Sequence, residues 1–185
     1  DETVDGGLVG MAAAQAARLG FGELMVALLA YTWFRLPHFG GREVAELAAA
    51  AVKLGCEDWR FCAAAASFCI RSPLAFSNLR DVALLANALQ HWSSNAWVQQ
   101  PPLNHASTFQ GIAAAAIPHL QDGRSCTPRD LAELTHALAA ALGSKTISSG
   151  VQLHETPVVE QAFCMACTAA MPQLHRASMH DVSKL

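Results

Sequence analysis

Apolar residues recur at helical spacing along much of the chain: Val44, Leu47, Ala51 and Leu54; then Val82, Leu85 and Leu89; then Leu131, Leu134, Leu138 and Leu142. Each set lays one apolar stripe along a helix, with polar residues between. Each stripe opens on the same phrase of acid, Val or Leu, small residue, any residue, Leu. It is written Glu43-Val44-Ala45-Glu46-Leu47, Asp81-Val82-Ala83-Leu84-Leu85 and Asp130-Leu131-Ala132-Glu133-Leu134, and once more as Asp181-Val182-Ser183-Lys184-Leu185. The acids lie 38, 49 and 51 residues apart, and self-similarity at that period signals stacked helical hairpins. Three residues before each acid stands a helix-capping candidate: Gly40, Asn78, Thr127 and Ser178. A Ser, Thr or Asn there accepts from the free N–H groups of the first turn, and the acid favours the positive end of the helix dipole. Pro128 sits where a missing N–H costs nothing. Small residues stand seven after the acid (Ala50, Ala88 and Ala137), and Gly55 and Gly143 read as helix stops.

A second helix follows in each unit, over roughly 23–35, 58–71, 105–119 and 158–174. These segments are rich in Ala, Cys, Phe and Met and poor in charge, as in Phe61-Cys62-Ala63-Ala64-Ala65-Ala66-Ser67-Phe68-Cys69. Helices apolar on most sides are expected to lie buried between neighbours. Leu8–Leu19, before Gly20-Phe21-Gly22, reads as an earlier and more degenerate unit. The expected fold is therefore all-α: one α-solenoid domain over 1–185 made of stacked antiparallel hairpins. Its approximate repeats are 5–38, 39–76, 77–126 and 127–177, with a further one starting at 178–185. A stack that stops just inside a new first helix leaves an apolar face open, so a segment of a longer protein is expected.

Composition narrows the class without changing the fold. Of 185 residues, 52% are hydrophobic and 15% charged, which supports a core and excludes a disordered chain. One Tyr and no alternating β-branched run leave strands unsupported. The longest apolar stretch, Leu24–Phe34, is too short to span a bilayer and is bracketed by Glu23 and Arg35. No membrane insertion is expected. The six cysteines fall mostly inside apolar helices and read as reduced core residues. Two connections, 93–104 and 144–157, are long for a hairpin array and read as insertions or partner-binding loops.

The recurring first helix resembles the helical-hairpin repeats of the octotricopeptide and heptatricopeptide families, and the repeat region that precedes RAP domains in FAST-kinase-like proteins. Asp81 to Leu89 and Asp130 to Leu138 carry the likeness. The departure is at the families' frequent aromatic, held here by Ala49, Asn87 and His136. The resemblance implies an organellar protein, mitochondrial or alternatively plastid, associated with RNA. Such a protein is a structural component of a mitochondrial ribosome, next to rRNA and neighbouring proteins, or an RNA maturation factor. The alternative is a protein–protein scaffold of an organellar complex without RNA contact.

Electrostatics support RNA in part. The net charge is −3 and no basic run exists, unlike a free-standing RNA binder. Yet the residue before each motif acid is Arg42, Arg80, Arg129 and then His180. A cation there opposes the helix dipole, and an Arg beside free N–H groups is a good phosphate seat. The competing reading pairs each Arg with an acid of a neighbouring helix. Lys53, Arg124 and Lys145 are auxiliary candidates, and Asn87 and His136 share a register from which to meet a base edge. No catalytic residue, metal ligand, cofactor or small-molecule substrate is expected. Cys164-Met165-Ala166-Cys167 is a lone CxxC inside a helix, whereas zinc needs four ligands and a redox cysteine a helix start. Trp33, Trp59, Trp92 and Trp97 read as packing anchors, the last two flanking the first long connection.

Overall fold

The computed structural model describes residues 5–94, 105–123, 126–143 and 157–176. They form α-helices and short 3-10 turns, with no strand among the described residues. Eight α-helices follow in order: α1 (Gly6–Leu19), α2 (Gly22–Thr32), α3 (Gly41–Lys53), α4 (Trp59–Arg71), α5 (Leu79–Ser94), α6 (His105–Asp122), α7 (Pro128–Gly143) and α8 (Pro157–Ala170). The repeat start at 178–185 and most of both long connections lie outside the described residues.

The recurring phrase supplies enclosed apolar positions in each of α3, α5 and α7. Val44, Ala45 and Leu47, Val82, Ala83 and Leu85, and Leu131, Ala132 and Leu134 are fully enclosed. Ala50, Ala88 and Ala137 are buried beside them, so the small residues fall where helix backbones come closest. The packing is regular. α3 lies against α1 and α5, and α5 against α7; α4 lies against α2 and α6, and α6 against α8. Within this core Trp92 meets Phe61 edge-on, ring centroids 6.0 Å apart, and Phe68 meets Phe76 at 5.8 Å. Trp92 is thus a packing anchor, while Trp97 lies outside the described residues.

Local chemistry explains where helices begin and stop. The Asn78 side-chain oxygen accepts from the Asp81 N–H at 2.9 Å, and its amide donates to the Asp81 carboxylate at 2.9 Å. Thr127 and Asp130 form the same reciprocal pair, at 3.2 and 2.6 Å. α3 starts differently. Gly40 caps it without a side chain, and Gly41 lies so close to Phe76 and the Ala75 carbonyl that a Cβ would stand 2.6 and 2.8 Å from them. Gly20, Gly55 and Gly123 adopt left-handed φ of 77, 63 and 64° after α1, α3 and α6, the conformation a helix-stopping glycine supplies. Gly143 instead remains inside α7 as its last residue.

One expectation is overturned. The second helices are not all enclosed. α2 is apolar on most sides, yet Leu24, Val26 and Tyr31 are exposed along it, as are Phe21 and Phe34 at its two ends. It buries Met25, Leu29 and Thr32. The apolar run shows that α2 can be buried on any side, and its neighbours α1, α3 and α4 cover only one. Trp59, read as an anchor, is exposed as well.

Candidate functional site

Arg42, Arg80 and Arg129 are each the second residue of their helix, followed by the motif acid. The charge of Arg42 on α3 acts on Asp81 of α5, so these two helix starts lie side by side. Arg129 holds the same position on α7, the next helix of the series. All three guanidinium-bearing residues are exposed.

Two of them are already partnered by an acid of their own helix. Arg42 Nε lies 2.9 Å from Glu46 Oε1 and Arg129 Nε 3.0 Å from Glu133 Oε1, each one turn on. The hydrogen bond and charge of Glu46 bind the Arg42 proton still more firmly than usual. Glu133 is 8% exposed against 71% for its arginine, so the carboxylate is the fixed member of that pair. Arg80 differs. The residue one turn on is Leu84, and among the described residues the Arg80 side chain makes no hydrogen bond or ion pair.

The acids set the local field. Burial pushes the Asp81 carboxyl above its ordinary value; the Asn78 hydrogen bond opposes the shift, Glu46 adds to it, and Arg42 and Arg80 oppose it. Glu43, Glu46, Asp81, Asp130 and Glu133 are five carboxylates around three guanidiniums, so this edge carries two more negative than positive charges. An arginine among carboxylates attracts phosphate less than an isolated one does.

Asn87 and His136 stand seven residues after Arg80 and Arg129. That is close to two full turns, so each shares its arginine's face about 10 Å along the helix. Asn87 is half-buried and His136 exposed. Lys53 is exposed in the last turn of α3, roughly 16 Å of helix from Arg42, and does not join the arginines. Arg124 and Lys145 lie outside the described residues.

Nothing else described gathers reactive groups. Burial pushes the thiols of Cys62 and Cys69 up to about 12, which leaves them inert thiols within the core. Cys56 is buried too. Cys164 and Cys167 share one face of α8, the first exposed and the second half-buried. Burial and the neighbouring Cys164 both raise the Cys167 pKa. Among the described residues no three His, Cys, Asp or Glu side chains stand together as a metal site. A groove of about 660 Å³ runs between Ile70, Pro73, α6 and the start of α8, and none of the described side chains that line it is titratable. Among the described residues no helix is long and apolar enough to cross a membrane.

A further cluster, absent from the candidate residues, stands at the end of α2. The Arg35 guanidinium carbon lies 4.1 Å from the Tyr31 ring centre and 4.5 Å from that of Phe34, and Arg35 Nη1 donates to the Tyr31 carbonyl at 3.2 Å. Arg60 lies over Trp33 at 5.9 Å while paired with Asp58 at 2.9 Å. The signal was present in the run Tyr31-Thr32-Trp33-Phe34-Arg35, since aromatics three apart share a helix face with the next arginine. Compared with known proteins, the chain matches no family model, no curated protein and no solved structure.

Proposed function

We propose that this chain is a non-catalytic α-solenoid, a binding module of stacked helical hairpins. In this reading it serves as a structural component of an organellar RNA–protein complex such as a mitochondrial ribosome. The solenoid part is supported by the packing of first helices on first helices and second on second, the nearest-neighbour pattern of repeat arrays. The observation that carries the functional part is the register. One arginine recurs beside the free N–H groups at the start of α3, α5 and α7, with Arg42 and Arg80 on adjoining starts. The organelle, mitochondrial first and plastid as the alternative, rests on the resemblance to octotricopeptide and heptatricopeptide repeats.

In this reading Arg80 makes the principal phosphate contact, and Arg42 and Arg129 join by giving up their carboxylates. Exposed i,i+4 pairs hold weakly, so a phosphate can displace Glu46 from Arg42, whereas at Arg129 the buried Glu133 is the stronger competitor. Asn87 and His136 extend the same faces toward a base. rRNA and adjoining proteins are the partners, and proteins supply most of the hold because the edge is net acidic.

A second reading, a protein–protein scaffold without RNA contact, is favoured by the Arg42–Glu46 and Arg129–Glu133 pairs. Binding of mixed-sequence single-stranded RNA across a salt series separates the two. RNA contact predicts saturable binding that weakens with salt, is reduced by Arg80→Ala and is abolished when Arg42, Arg80 and Arg129 are all Ala. No binding at low salt would sink autonomous RNA contact and leave the scaffold.

A further inference from the structure

The exposed large apolar side chains are concentrated at one end of the molecule. On α1 they are Leu8, Met11 and Leu19, and along α2 and its ends Phe21, Leu24, Val26, Tyr31 and Phe34. Leu8, Met11 and Leu19 form one trio, and Leu24, Tyr31 and Phe34 another, with Val26 on a different side of α2. The spacings place each trio on one helix face. The opposite faces are the buried ones, through Val9, Ala13 and Ala16 on α1 and Met25 and Leu29 on α2. At roughly 100 Å² each, the six side chains of the two trios expose on the order of 600 Å² of apolar surface, close to the roughly 800 Å² each partner gives to a standard interface. Patches of that size mark interaction sites.

The charges on this face indicate what covers it. Glu23 stands at the start of α2 and Arg35 just past its end. Neither forms an ion pair among the described residues. Arg35 lies over the rings of Tyr31 and Phe34 and donates to the Tyr31 carbonyl, so its guanidinium is pre-positioned. A helix with an acid at one end and a base at the other complements itself when turned antiparallel. A two-fold axis through the middle of α2 sets Glu23 opposite Arg35 of the partner subunit. The same axis sets Leu24 opposite the partner subunit's Phe34, and Ala27 opposite the partner's Tyr31. The small residue thus meets the large one, as close helix packing requires, and each contact is made twice, as in an isologous interface.

We propose that the outer face of α1 and α2 is a homodimer interface in which α2 packs antiparallel on α2 of a second copy, with Glu23 paired to Arg35 across the axis. The inference is independent of RNA contact. It is tested by sedimentation equilibrium of the chain from about 1 to 100 µM, with helix content checked by circular dichroism. A reversible monomer–dimer equilibrium is expected. Glu23→Arg and Arg35→Glu should each weaken the dimer by more than about tenfold, since each sets like charges together twice. The doubly exchanged protein should return to within about threefold of the original, because the pair is rebuilt with reversed sign. A chain that is monomeric throughout, assembles beyond a dimer, or is not rescued by the double exchange overturns the proposal.

Discussion

α1–α2 and α5–α7 are built from the same material, Ala- and Leu-rich helices of similar length, yet they end in opposite states. α5 is packed by α3, α6 and α7 and buries nine of its residues, Leu79 through Trp92. α2 buries three. Apolar content therefore measures how much of a helix can be buried, and neighbours decide how much is. At the open end the exposed side chains are large and aromatic, which is costly to display in water and suited to an interface.

Truncating leucines tests this contrast most directly. Leu85→Ala at the fully enclosed centre should cost about 2–5 kcal/mol of stability in urea unfolding, from lost transfer energy plus a cavity. Leu8→Ala at the open end should change it by no more than about 0.5 kcal/mol. Comparable costs for the two would show that the N-terminal face is covered in solution. Next in size is Gly111→Ala. A Cβ there would stand 2.7 Å from the Cys69 carbonyl oxygen and 3.0 Å from the Ile70 nitrogen. Neither can move without shifting α4, so a loss of about 1–3 kcal/mol is expected. A neutral result would mean that α6 does not approach α4 so closely.

Helix starts provide a finer comparison. Asn78→Ala removes both hydrogen bonds at the start of α5 and should cost about 1 kcal/mol. Gly40→Ala at α3, where no side chain caps, should lose no hydrogen bond and crowd only the flexible end of Glu43. Equal losses from Asn78→Ala and Gly40→Ala would refute the capping account.

Two carboxylates at helix starts respond oppositely to pH. Asp81 is raised above its ordinary 3.8, chiefly by burial. The folded state therefore holds that proton longer, and the group's contribution to stability falls as pH rises from about 3.8 through the folded value. Asp58 is lowered. Burial pushes it up, but the hydrogen bond from the Arg60 side chain and those from the Arg60 and Phe61 N–H groups prevail. Its contribution is present above 3.8 and is lost as pH falls through the folded value. Asp81→Asn should accordingly leave stability higher than wild type on the neutral side relative to the acid side, and Asp58→Asn the reverse. Unfolding curves between about pH 2 and 6 check both signs. The smallest effect belongs to the edge. Arg80→Ala, at an exposed arginine with no acid one turn on, should change stability by no more than about 0.5 kcal/mol, and a larger loss in urea unfolding would mean that Arg80 has a structural partner.

Several helix ends were legible because their signals are local. The Asn78 and Thr127 caps, the Pro128 start and the Gly55 stop act within one turn, and each marks a helix end, whereas Gly143, read as a stop, is the last residue of α7. The Arg42–Glu46 and Arg129–Glu133 pairs lie within one helix, where four-residue spacing places both side chains on one face, and not with the acids of neighbouring helices expected for these arginines. What could not be read depends on contacts distant in sequence. Gly111 shows no local need for a glycine until α4 lies across it. Leu24 and Leu85 look alike in sequence, and one is exposed while the other is enclosed. A single sequence states that a helix is apolar, not which helices surround it.

The thiols buried in α4 have a kinetic consequence. Cys62 and Cys69 face the core with pKa values of about 12, whereas Cys164 is exposed on α8. An alkylating reagent at neutral pH should thus modify Cys164 on simple contact, and the α4 cysteines only when that helix separates from its neighbours. The delay between the two modifications times the opening of the middle of the molecule, with the chain serving as its own stopwatch.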